Sequence, residues 1–192
     1  MYLTGPEISQ LERRFGRPRQ AVLAYEIPNE EYSFIRSTQR DQRAHDVTAF
    51  IPHEGQIAVI QKPSYPEGAW RVPSGGISKG ESFEEGLQRE VREETGLSVA
   101  MNRYLYRVHV RFVAGEDTID WTTHVVEALL TEPPPEELRP EDTREIVAAR
   151  FLDWETLLGP VRELLIAAPS GGLTYRAHLH DLVYRYYATP EA

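Results

Sequence analysis

Strict alternation marks the longest strands of this chain. From Arg103 to Val113, the residues Tyr104, Tyr106, Val108, Val110 and Phe112 fall on one face. Arg103, Arg107, His109 and Arg111 fall on the other. A period of two is what a half-buried β-strand requires. Ala114-Gly115-Glu116 turns the chain, and Thr118 to Leu130 returns as a second long strand. Val47 to Ile51 and Ile57 to Ile60 are short apolar runs around His53-Glu54-Gly55, a hairpin signal. Ala21 to Ile27, closed by Pro28-Asn29, and Val147 to Leu152 are further strands.

Helical spacing appears elsewhere. Ile8, Leu11 and Phe15 share one face, and Gly16-Arg17-Pro18 ends that helix. Phe83, Leu87 and Val91 form the buried stripe of a helix that opens on Ser82 with Glu85 three residues later and closes at Gly96. Trp154 to Leu158 reads as a helical turn and Val161 to Ala168 as a short helix. Leu173 to Tyr187 is amphipathic, with Tyr175, Leu179, Leu182, Val183 and Tyr186 on one stripe. The polar stretch Glu30 to His45 reads as loop or short helix, and Glu132 to Asp142 as loop. Pro73-Ser74-Gly75-Gly76 recurs as Pro169-Ser170-Gly171-Gly172; the second copy has no carboxylates downstream and reads as a plain loop. Strands on both sides of one central helix, with helices at the end, predict an α+β or α/β sandwich with a mixed sheet.

Composition narrows the function. A chain of 192 residues, 41% hydrophobic, supports one domain and a real core, with residues 1–45 as an extension. The isolated strand in that extension needs a sheet edge or a second subunit, which suggests a homodimer. The net charge of −9 argues against a general binder of long nucleic acids or of anionic membranes. There are no cysteines, so thiolate chemistry and disulfides are excluded. No apolar run approaches the roughly 20 residues that span a bilayer, and the start of the chain lacks the apolar core of a signal peptide. The expectation is a cytoplasmic protein.

The candidate chemistry lies between Gly75 and Leu97, where a glycine loop runs into the helix carrying Glu90, Glu93 and Glu94. Like charges three and four apart repel on a helix, and a hard divalent cation such as Mg²⁺ or Mn²⁺ compensates them. Arg89 stands four residues from both Glu85 and Glu93 and can brace them. Gly75 and Gly76 let backbone groups approach a ligand closely. The bland alternative is a salt-braced surface helix.

The spacing is specific. Gly75, five residues, Glu81, seven residues, Arg89-Glu90-Val91, one residue, Glu93-Glu94, one residue, Gly96-Leu97 fills every fixed position of the Nudix box. On these residues the chain resembles the Nudix hydrolase family. The resemblance implies an α/β/α sandwich with the box as loop–helix–loop, occupying residues 46–192. It also implies metal-dependent cleavage, by water, of a nucleoside diphosphate linked to another moiety X. Glu90 and Glu94 would then be metal ligands, Glu93 a third ligand or the base, and Glu81 an outer ligand. Glu145 matches the loop where some members place a general base. Trp70 and Arg71, next to the glycine loop, are the first candidates for stacking a base and meeting phosphate, ahead of Tyr65 and Trp121. Arg103, Arg107, His109 and Arg111 read as pairing with neighbouring carboxylates. His178 and His180, two apart on a helix, cannot share a metal.

Markers of particular substrate classes are missing: Phe112 and Val113 stand where ADP-ribose pyrophosphatases carry proline, and Ala114 lies near the tyrosine position of diadenosine polyphosphate hydrolases. Ser74 and Ser78 replace residues common in the box. The alternative reading is a Nudix-like nucleotide-binding regulatory module with little turnover.

Overall fold

The computed structural model describes residues 3–39 and 44–189. Its centre is the antiparallel pair β6 (Val99–Ala114) and β7 (Asp117–Leu130), which share a long register from Val99 opposite Leu130 to Ala114 opposite Asp117. The alternation that predicted β6 holds from Tyr106 onward but not at Tyr104. The register shifts between Tyr104 and Tyr106, so Leu105 is an extra residue and the phase inverts. Tyr104 therefore faces the layer of Phe83 and Leu87, whereas Tyr106, Val108, Val110 and Phe112 face the opposite layer.

Strands flank this pair in the order β1-β6-β7-β2-β5. β1 (Arg19–Glu26) runs parallel to β6, and β2 (His45–Phe50) runs parallel to β7. β5 is only Ser74–Gly75, antiparallel to β2. A second, antiparallel sheet contains β3 (Pro52–His53), β4 (Gln56–Gln61) and β8 (Ala148–Asp153). Helices α1 (Gly5–Phe15) and α3 (Phe83–Thr95) contribute Leu11, Phe83, Leu87 and Val91 to one core layer. The other layer takes Leu157 and Val161 from a π turn (Leu157–Val161), Leu165 from α5 (Arg162–Ala167), and Leu173, Leu179 and Val183 from α6 (Gly171–Ala188). A short turn, α4 (Trp154–Thr156), precedes the π turn. This is the expected α/β/α sandwich. Among the described residues, no helix is long and apolar enough to cross a membrane.

The N-terminal extension is built into the sheet. β1 finds its edge on β6 of the same chain, and α2 (Asn29–Thr38) is a helix where the sequence left loop or helix open. The second Pro-Ser-Gly-Gly segment is not a plain loop. Ser170 caps α6 by accepting from the Leu173 amide, and Ser170 Oγ and Gly172 N both donate to Glu31 Oε1 at 2.8 Å. A Cβ at Gly171 would overlap the Glu26 carbonyl, and one at Gly172 would overlap the Glu31 carboxylate. The two glycines therefore let the extension seat against α6.

Three histidines are buried within this framework. His45 Nδ1 lies 2.9 Å from His124 Nε2, and His124 Nδ1 meets the Tyr104 hydroxyl. His180 is fully buried, and neither ring nitrogen has a hydrogen-bond partner. Burial lowers all three pKa values, that of His124 well below normal and that of His180 to about 3, where Arg176 and Arg71 add to the effect. Such a group binds its proton in the unfolded chain first, so stability falls as pH drops below about 6.5. Glu90, whose pKa is raised chiefly by burial, works in the opposite sense above its ordinary value, but it is one group against three. We expect His180 alone to lower stability by about 2 kcal/mol between about pH 6.5 and about pH 5. Urea titrations at the two pH values, with His180→Leu as reference, measure this; an unchanged slope in the variant would contradict it.

Candidate active site

Helix α3 begins and ends as its sequence dictates. Ser82 Oγ accepts from the Glu85 amide and the Glu85 carboxylate accepts from the Ser82 amide, closing the capping box. Gly96 adopts the left-handed conformation at φ 75° and stops the helix. These two ends fix which face of α3 meets the glycine loop.

On that face the carboxylates are held by two arginines. Arg89 is a hub. Its guanidinium donates to Glu81 (2.8 and 3.0 Å), Glu90 Oε1 (2.9 Å), Glu93 Oε2 (3.1 Å) and the Gly76 carbonyl (2.8 Å). The expected brace is thus present, with Glu81 rather than Glu85 as its first partner. The Arg89 bonds hold the Glu81 carboxyl below its ordinary range. Glu90 shifts the other way: burial raises its pKa against the pull of Arg89, and Glu94 and Glu93 push in the same direction. A Cβ at Gly75 would overlap the Glu90 carboxylate, so any larger residue there would push Glu90 out of this position.

Arg71 plays a different part from the phosphate contact that sequence suggested. It is 2% exposed and committed to protein partners. Its two terminal nitrogens reach Glu94 at 2.9 and 3.4 Å, and it also donates to the Val72 carbonyl, Ser74 Oγ and the Tyr65 hydroxyl. The Ser74 amide completes the set at 2.7 Å from Glu94 Oε2. Glu94 is therefore preorganised by a buried bidentate pair.

These groups line a cleft of about 840 Å³ that Gly75, Gly76, Glu90, Glu93, Glu94, Arg71 and Glu145 share. A cleft of that size suits a nucleotide-sized ligand. Glu145 is exposed and pairs with Lys62 Nζ at 2.9 Å, and the loop bearing it is tied to α3 through the Asp142 amide and the Glu93 carbonyl. Glu81, Arg89 and Trp70 do not line the cleft; Trp70 packs under the Arg150 guanidinium. Sequence reasoning missed Lys62, Asp46, Phe34 and Arg176, which do line it. They come from four separate segments with no shared spacing, and only the fold gathers them.

The donor set suits a hard cation: carboxylates and backbone carbonyls, with no nitrogen or sulfur ligand among them. As the side chains stand, no three Asp, Glu or His among the described residues enclose a cation site. The arginines hold the carboxylates that a cation would compete for.

The sequence profile described as the NUDIX domain matches residues 41–170. The chain belongs to this family. Nudix hydrolase 2 of Arabidopsis thaliana is 26% identical over 139 residues, covering 70% of this chain and 46% of that protein. The CTP pyrophosphohydrolase of Escherichia coli (strain K12) is 34% identical over 71 residues, covering 36% of this chain and 52% of its own length. The matched part of this Nudix chain thus spans about half the length of these two relatives. A NUDIX hydrolase structure from Nitrosomonas europaea superposes with a TM-score of 0.54 at 19% identity, covering 76% of this chain and 89% of that one, and so shares the fold.

Proposed function

We propose that this Nudix chain is a divalent-metal-dependent hydrolase that cleaves the pyrophosphate linkage of a nucleoside diphosphate joined to a second group X. The observation that carries the reading is the wall of Glu90, Glu93 and Glu94 on one face of α3, facing a cleft large enough for a nucleotide. Glu90, Glu94 and Glu93 would hold Mg²⁺ or Mn²⁺, with Glu81 behind them as anchor of Arg89. The metal would neutralise the pyrophosphate and stabilise the leaving oxygen.

The chain's own groups do the rest. Arg71 keeps Glu94 aimed, because a guanidinium fork fixes both carboxylate oxygens. Lys62, 4.0 Å from Glu94 and 2.9 Å from Glu145, supplies a cation at the mouth of the carboxylate wall where a phosphate can exchange for a carboxylate. Glu145, exposed on the rim, would accept a proton from the attacking water, with Glu93 as the alternative base.

The test is a panel of nucleoside diphosphate-X compounds and nucleoside triphosphates with Mg²⁺ or Mn²⁺, read by phosphate release after a coupling phosphatase. Metal-dependent turnover of at least one compound is expected. Tight nucleotide binding with no turnover on any of them would instead make this a nucleotide-binding regulatory module.

A further inference from the structure

We propose that helix α2 forms the nucleoside-binding end of the cleft, with the base stacking on Phe34. This deepens the reading of the cleft as a nucleotide site and rests on it. Glu31, Phe34, Ile35 and Thr38 line the cleft, and their spacing of three, four and seven places them on one face of α2. The helix buries none of its own residues and is clasped to α6 through Glu31, Ser170 and Gly172.

The polarity of the cleft is split. Around α3 it is carboxylate, with Lys62 among them, which suits pyrophosphate and its cation. Around α2 it is aromatic. Trp121 is 8% exposed and its indole nitrogen donates to Asp46 Oδ1 at 2.9 Å; Tyr175 is 2% exposed and packs edge-on against Phe112. These rings are a fixed floor with little surface left to bury. Phe34 is 69% exposed. It is the cleft aromatic from which a ligand can remove the most apolar surface, and a flat heteroaromatic ring is the ligand shape that covers a phenyl face. A nucleoside diphosphate carries an aromatic ring at one end and a pyrophosphate at the other, which matches this split. Arg176, 3.2 Å from Thr48 Oγ1 and beside Asp46, brings polar groups to this end for the edge of the base or the sugar. α2 precedes residue 41 and α6 follows residue 170, so two of the elements at this end lie outside the family profile.

The experiment measures binding of the four ribonucleoside 5′-monophosphates and of ribose 5-phosphate in Mg²⁺ buffer, by calorimetry, for wild type, Phe34→Ala and Phe34→Trp. We expect Phe34→Ala to weaken the nucleoside monophosphates about tenfold, leave ribose 5-phosphate unchanged, and keep the melting temperature. Phe34→Trp is expected to bind the nucleoside monophosphates at least as tightly as wild type. Equal weakening of ribose 5-phosphate, or no weakening of any ligand, overturns the proposal. These ligands are not turned over, so the result stands apart from the hydrolase assay: base-dependent binding without turnover on any substrate would fail the enzyme reading and keep this one.

Discussion

Glu90→Gln is expected to lower kcat at least a hundredfold while leaving the melting temperature within a few degrees of wild type. Both halves follow from where Glu90 sits. Its side chain is 18% exposed, its carboxyl pKa is raised by burial, and it stands beside Glu93 and Glu94 on the cleft wall. On the proposed reading, the negative charge of this carboxylate meets the cation. Glutamine has the same shape and still accepts from Arg89 through its carbonyl oxygen. Arg89 keeps its bonds to Glu81, Glu93 and Gly76, so the fold loses little. What disappears is the charge. Removing one preorganised electrostatic contact to a transition state typically costs a factor of 10²–10³, about 3–4 kcal/mol. The assay is initial rate against Mg²⁺ concentration on whichever nucleotide wild type hydrolyses. Wild-type kcat in this variant would remove Glu90 from the proposed metal site.

The residues that were legible in the sequence are those whose signal is local. Ser82, Glu85 and Gly96 announce the two ends of α3 by side-chain chemistry within a few positions. The face shared by Glu90 and Glu94 then follows from helical periodicity alone. Val108, Val110 and Phe112 announce β6 by alternation. The exceptions are non-local. Tyr104 changed faces because one extra residue, Leu105, enters β6, and a bulge leaves no mark in an alternating pattern. Ser170-Gly171-Gly172 looked like loop because its partners, Glu26 and Glu31, lie about 140 positions earlier. Arg71 looked like a phosphate contact because adjacency to the glycine loop says nothing about depth; at 2% exposure its charge is spent on Glu94. Trp70, its neighbour in sequence, points to Arg150 instead of the cleft. Of the aromatic residues at the far end of the cleft, Trp121 was a candidate from sequence, but Phe34 and Tyr175 come from two other elements and share no spacing with it.

Arg71→Met is expected to cost about 3–5 kcal/mol of stability, and Arg71→Met with Glu94→Met to recover most of that loss without recovering turnover. The argument rests on the sign of buried charge. Arg71 and Glu94 have side chains 3% and 7% exposed and form a bidentate pair. Removing the guanidinium leaves a buried carboxylate with the Ser74 amide at 2.7 Å and Lys62 no nearer than 4.0 Å. An uncompensated buried charge is costly. Removing both charges in favour of apolar side chains of similar reach replaces an expensive pair with packing, which is commonly neutral or better. Glu94→Gln alone is therefore a poor probe of metal binding, since it strands Arg71 and mixes instability with lost chemistry. Urea denaturation of wild type, Arg71→Met, Glu94→Met and the double variant at about pH 7.5, with equal slopes, gives the coupling energy between the two sites. A single-variant cost below about 1 kcal/mol would mean that Lys62 or water already compensates Glu94, and the pair would not be what holds the carboxylate in place. A stable but inactive double variant would show that this buried pair is kept for the site at the expense of the core.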